Sequence, residues 1–313
     1  MTGWRYDVLG LGCVAIDDLL FLAEYPPPDA KVPVQRRDRQ CGGLTATALV
    51  AAARQGAHCA FAGVLGHDEL SQFVRRRFEE EGIDVSLVRW RPGVRPIHSI
   101  ILVDQSRHTR TIVYDLEGAH GAEPDWPEES VIRTSRVLFV DHFGMEGMIR
   151  AARIARAAGI PVVADLENHQ HPRFGELLAE VDHLILSQGF AARLTGRKDP
   201  AGAAEALWKA DRQAVVVTCG AQGGWYLGRP QPGAEPISAP KHYRAFPVKV
   251  VDTTGCGDVF HGAYAAALAR GAPLEERIRY AAAAAALKAT QPGGQAGIPW
   301  RHDVEEFLRA QPP

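Results

Sequence analysis

The sequence predicts an α/β domain in three layers: a mostly parallel central sheet between helices, with a small β-sheet lid. Three observations predict it. From Ser135 onward, short apolar runs rich in Val, Ile and Leu alternate with helical segments, the pattern of parallel strands joined by crossover helices. Helical segments stop at glycines, as at Gly56, Gly82 and Gly159. Two stretches, near 32–40 and 94–115, break the alternation and are expected to be lid strands inserted into a single domain spanning 1–313.

In chain order, "YDVLGLGCVAIDDLLFL" opens as a buried strand and ends near Pro26, Pro27 and Pro28. "VPVQRRDRQ" alternates like a short, half-exposed strand. "TATALVAAARQGA" has helical composition, "HCAFAGVLG" reads as a buried strand, and "ELSQFVRRRFEEEGI" as an amphipathic helix. "HSIILVD" and "RTIVYD", joined by "QSRHT", form a hairpin. Strands follow at "SRVLFVDHF", "IPVVADLE", "DHLILSQ" and "QAVVVTCG". The helices between them are "GMIRAARIARAAG", "FGELLAEV", "GFAARLTG" and "DPAGAAEALWKAD". "GGWYLG" and "HYRAFPVKVVD" are extended, and the remainder is mainly helical.

With 313 residues and 46% hydrophobic content, the chain is long enough for one large α/β domain. A net charge of -2 gives no electrostatic footprint for nucleic acid or an acidic membrane surface. The five cysteines include no CxxC pair, which argues against a zinc site or disulfide framework and for a reducing cytoplasm. "MTGWRYDVLGLG" lacks the basic and apolar regions of a secretory signal, and no run is long enough to span a bilayer.

The stretch "VDTTGCGDVFHGAYAAALARG" carries the chemistry. Gly255, Cys256 and Gly257 are small enough for backbone N–H groups to converge at a helix start, where they favour an anion. A phosphoryl group in transfer is such an anion. Asp258 is out of place there unless it takes the proton of an attacking hydroxyl. An ordinary helix N-cap accounts for that position equally well on this stretch alone.

"DTTGCGDVFHGA" resembles the C-terminal signature DTxGAGDxFxGA of the ribokinase-like, or PfkB, family of sugar and nucleoside kinases. "GGLTATALVAAARQGAHCAFAGVLGHD" is similar to the family's N-terminal signature, "VVTCGAQGGWYL" to its nucleotide-site segment, and "AAAALKATQPGGQAGIP" to its closing helix and loop. Within the family, "DVFHGA" and "PGG-x-AGIP" look most like the branch containing sulfofructose kinase. The resemblance implies an ATP- and Mg²⁺-dependent kinase acting on a hydroxyl of a ketohexose, pentose or similar sugar, or of a nucleoside. It implies Asp258 as base, Gly255, Cys256 and Gly257 as anion hole, and Asp17, Gly42 and Gly43 as substrate holders. Thr47 stands at the asparagine position of the N-terminal signature. Thr218, Gly220 and Gly223 would border ATP, and the carbonyls of Asp252 and Thr254, with the loop around Pro292 to Gly294, would suit K⁺. Ser187 and Phe190 stand where many members carry N-x-x-E, and His142 where sulfofructose kinases place an arginine.

Other residues are ambiguous. Lys31 could reach an acidic substrate group from the lid, or be a surface lysine. His142 follows a strand end, where ligand contacts collect. Asp165 and Glu167 end a strand with both side chains on one face; they read as a solvated strand end, with a cation or ribose contact as the alternative. Gly10, Gly12 and Ala15 match the dinucleotide fingerprint G-x-G-x-x-A, so a Rossmann NAD-dependent oxidoreductase is the rival enzyme. A binding protein without turnover is the third reading. An exposed lid edge favours a homodimer.

Overall fold

The computed structural model describes residues 3–107 and 109–311. The first segment yields two strands, β1 (Tyr6–Leu11) and β2 (Ala15–Leu22), followed by β3 (Arg36–Gly42) and helix α1 (Leu44–Arg54). Next come β4 (Cys59–Phe61), β5 (Val64–Leu65), α2 (Glu69–Glu80), β6 (Arg89–Trp90), and the hairpin β7 (Ile97–Asp104) and β8 (Thr109–Asp115). The alternating region holds α3 (Glu129–Ile132), β9 (Ser135–Val140), α4 (Met145–Ala157), β10 (Val162–Asp165), α5 (Phe174–Ala179) and β11 (His183–Ser187). It continues through α6 (Gln188–Thr195), α7 (Pro200–Leu207) and β12 (Ala214–Thr218). The chain finishes with β13 (Gly224–Gly228), β14 (Lys241–Tyr243), α8 (Cys256–Ala269), α9 (Leu274–Ala289) and α10 (Arg301–Arg309).

Eight strands form the main sheet in the order β14-β13-β12-β11-β10-β9-β1-β4. All neighbours pair in parallel except β12–β13 and β13–β14. Strand periodicity splits the core in two. Val8, Phe139, Val163, Ile185 and Val216 pack on one face with α1, α8 and α9. Leu9, Leu138, Ala164, Leu186 and Val217 pack on the other with α4 to α7. That is the three-layer α/β arrangement expected from the sequence. The parallel strands β1, β9, β10, β11 and β12 end at one rim, where crevices form in such sheets. Asp141, Asp165, Ser187 and Thr218 lie along it.

A second sheet has the order β3-β2-β7-β8. It contains β2, which the sequence reads as a continuation of the opening strand. The chain breaks at Gly12 because the Asp141 carboxylate comes in there, bonded to Cys13 N at 2.7 Å and Thr45 Oγ1 at 2.8 Å. A Cβ on Gly12 would lie 2.1 Å from Asp141 Oδ2 and 2.0 Å from Thr45 Oγ1. The half-exposed strand expected at 32–40 forms later, at Arg36–Gly42, because it pairs with β2 from Ala15↔Gly42 to Phe21↔Arg36. The dinucleotide reading also fails here. A strand, not a helix, follows Gly10 and Gly12, so no helix N-terminus faces a pyrophosphate.

Candidate active site

Helix α8 carries Asp258 in its first turn, and its N-cap is Gly255, in a left-handed conformation at φ 77. Asp258 is therefore not the cap. Gly255 is fixed by a close approach: a Cβ there would lie 3.0 Å from Gly294 O. Gly257 is exposed, and a Cβ on it would meet nothing within 4 Å, which leaves open space beside the helix start. The Cys256 amide closes a turn onto Thr253 O at 3.2 Å. The amides of Gly255 and Gly257 have no backbone partner among the described residues.

The Asp258 carboxyl is held well above the ordinary carboxylate range by burial, by the nearby charges of Asp165 and Glu167, and by a hydrogen bond with Asp165. Asp165 is only 5% exposed, at the end of β10. The solvated strand end expected from sequence is instead a carboxylate covered by α8. His261 lies one turn beyond Asp258 on the same helix face. Its Nδ1 is 3.3 Å from Asp165 Oδ2 and 2.8 Å from Gly257 O, and its Nε2 is 3.0 Å from Ile185 O. Asp165 and His261 thus dock the turn that carries Asp258 onto the sheet rim. Nothing local in the sequence marks Asp165 for this, because its partner lies far along the chain.

A cleft of about 560 Å³ opens between the small sheet and the loops before α8 and after α9. Period 2 explains its lining. Asp17, Leu19 and Phe21 share one face of β2, and Gln40, Asp38 and Arg36 lie opposite them on β3. Asp17 is desolvated there, which raises its carboxyl despite a hydrogen bond from Ser99. Its Oδ2 would lie 2.5 Å from a Cβ on Gly42, so the glycine makes room for the carboxylate. Gly43, at φ 96, starts α1 against the backbone of Val14 and Ala15. Two contacts tie the small sheet to the loops. Gln40 Oε1 accepts from Gly294 N at 2.9 Å, and Arg110 Nη1 lies 3.9 Å from Asp252 Oδ1. Sequence reading misses Asp38, Gln40 and Arg110. The alternation of 36, 38 and 40 on one strand face is the available signal.

The other expected residues lie apart from this cleft. Thr47 is buried in α1, where its hydroxyl accepts from Gln295 Nε2 at 3.3 Å, so it does not line the cleft. Lys31 is exposed and also outside the lining. His142 is half-buried beside Phe143, with Nδ1 lacking a hydrogen-bond partner among the described residues. Thr218 ends β12, and Gly220 and Gly223 shape the turn into β13 at φ 55 and φ 83. A Cβ on Gly223 would lie 2.0 Å from Tyr243 O. Phe190, at the glutamate position of N-x-x-E, is a core side chain at 1% exposure.

The Asp252 loop is firmly held. Its carboxylate accepts from Thr254 N at 2.9 Å, Thr254 Oγ1 at 2.7 Å and Gly293 N at 2.9 Å. Its carbonyl, expected to face K⁺, accepts instead from Lys288 Nζ at 2.9 Å. A tethered cation therefore already holds one of the oxygens expected to face K⁺.

Comparison with known proteins bears on this rim. Residues 12–301 match the family described as pfkB family carbohydrate kinase. A ribokinase of Haemophilus influenzae is 28% identical over 305 residues, covering 95% of this chain and 97% of the relative. The structure of ribokinase from Thermotoga maritima superposes with a TM-score of 0.81 at 25% identity, covering 97% of this chain and 99% of that one. Arabidopsis thaliana ribokinase, complexed with ribose and ATP, superposes with a TM-score of 0.83 at 24% identity, covering 98% and 99%. These relatives do not specifically support the sulfofructose kinase branch.

Proposed function

The chain belongs to the pfkB family of carbohydrate kinases, and we propose on that premise that it transfers the γ-phosphoryl group of ATP to a hydroxyl of a pentose or ketohexose. One observation carries the mechanism. Asp258 sits in the first turn of α8, beside the open space at Gly257, with a carboxyl made more basic by burial and by Asp165. A carboxylate of raised pKa is a better proton acceptor near neutral pH. Asp258 removes the proton of the sugar hydroxyl as that oxygen attacks the γ-phosphorus. The Gly255 and Gly257 amides and the positive end of α8 receive the charge gathering on the phosphoryl oxygens.

Asp17, with the backbone at Gly42 and Gly43, holds the sugar under the small sheet, which acts as a lid. Thr218, Gly220 and Gly223, at the same rim, border the nucleotide. Mg²⁺ enters with ATP, held by its phosphates and by water, and neutralises them. Lys31 and His142 are left as contacts for larger substrates reaching beyond the cleft. The ribose and ATP complexed with the Arabidopsis relative support a pentose acceptor and ATP as donor.

Five free cysteines suit a reducing cytoplasm, and no helix among the described residues is long and apolar enough to cross a membrane. Strand β8 is exposed along its length, including Val113 at 53% and Tyr114 at 66%. We propose that a second copy covers this edge. Sedimentation at twice 34.0 kDa supports the dimer, and the monomer mass overturns it.

The test of function is a panel of pentoses, ketohexoses, sulfonated sugars and nucleosides with coupled ADP detection. ADP release stimulated by a sugar is expected. Stimulation by nucleosides alone reassigns the acceptor. Ligand binding without ADP release overturns the reading.

A further inference from the structure

Lys288 lies in the last turn of α9 and is fully buried, at 0% exposure. A buried lysine ordinarily pairs with a carboxylate. This one donates to two main-chain carbonyls, Asp252 O at 2.9 Å and Gln291 O at 3.4 Å. No carboxylate lies within ion-pair distance of its Nζ among the described residues; the carboxylates of Asp252 and Asp258 act on it only through space. The two carbonyls belong to the two loops that meet at Gly255 and Gly294. One loop leads into α8 and its anion-facing amides. The other carries Gly293 and Gly294, bonded to Asp252 and Gln40.

An ammonium among carbonyl oxygens has the charge and the ligand preference of a monovalent cation. Here it is tethered to the protein. We propose that the Lys288 ammonium is a built-in monovalent cation that holds the Asp252 and Gln291 carbonyls together and frees the enzyme from any need for K⁺. It acts as a positioning residue: it fixes the loop whose amides receive the phosphoryl group and adds positive charge behind it. This rests on the kinase reading for its effect on rate, but the cation site itself is read without turnover.

The test compares K⁺ with choline at constant ionic strength, reading both ADP release and thermal melting. The native protein is expected to show rates within about twofold and an unchanged melting temperature. K288A removes the ammonium and opens its space. Its rate in choline is expected to fall about ten- to a hundredfold, the worth of a charged hydrogen bond. K⁺ is expected to restore about tenfold of that and to raise its melting temperature. K288M, which fills the space without charge, is expected to lose rate with no rescue. A native enzyme activated about tenfold by K⁺, or stabilised by K⁺ over choline, overturns the proposal. So does a K288A protein that melts and turns over independently of K⁺. If K288A fails to fold, the native comparison decides. If no sugar stimulates ADP release at all, the kinase reading fails while the melting data still decide the cation site.

Discussion

Replacing Asp258 with asparagine separates proton acceptance from every structural role of the position. The helix cap is Gly255, so Asp258→Asn leaves the cap intact. It removes a first-turn charge worth about 0.3–1 kcal/mol against the helix dipole. In the opposite direction, it removes a carboxylate from beside Asp165 and Glu167. The sign follows from linkage. The folded state binds the Asp258 proton more tightly than the unfolded chain, whose value is near 3.8. Native stability therefore falls as pH rises from that value through the raised one. The asparagine variant lacks that loss, so it is expected to melt at or above the native temperature at about pH 7–8. Its amide can still donate to Asp165. Turnover is expected to fall about 10²–10⁴-fold, or roughly 3–5 kcal/mol of barrier at about 1.4 kcal/mol per decade. The assay is ADP release, thermal melting and ATP titration on one preparation. Near-native turnover in a folded, ATP-binding variant refutes Asp258 as the base.

Three further outcomes follow from the geometry. Asp17→Ala is expected to raise the sugar KM about ten- to a hundredfold with ATP affinity nearly unchanged, since a desolvated charged acceptor is lost from the cleft; an unchanged KM removes Asp17 from the substrate site. Asp165→Asn removes a negative charge beside Asp258, so the acid limb of the kcat/KM profile is expected to move to lower pH, and a limb that stays in place contradicts the coupling. Gly12→Ala puts a Cβ about 2 Å from Thr45 Oγ1 and Asp141 Oδ2, so a loss of about 1–3 kcal/mol or more is expected, seen as a fall in melting temperature of roughly 2–4 °C per kcal/mol.

Much of the fold is legible in the sequence because parallel strands buried on both faces are short runs of Val, Ile and Leu between glycine-closed helices. The start of α8 is legible because its glycines have local reasons to be there. Where sequence reading stops, the cause is tertiary. Ala15 and Ile16 are apolar enough to extend the first strand, and only the Asp141 carboxylate at Gly12 turns them into the second sheet. Val32 and Val34 mimic strand alternation, but pairing with β2 begins at Arg36. Asp165 looks solvated until α8 packs over it. Lys288 is hidden for the same reason: its partner Asp252 O lies far from it along the chain. Its setting in "AAAALKA" is the one hint that the side chain is buried.

The central claim is that phosphoryl transfer ends on a sugar hydroxyl. The direct measurement is ³¹P NMR of a reaction containing ATP, Mg²⁺ and the sugar that most stimulates ADP release. A phosphomonoester resonance coupled to sugar protons, growing one for one with ADP, is the predicted result. ADP accompanied only by inorganic phosphate, with no sugar ester, contradicts the account.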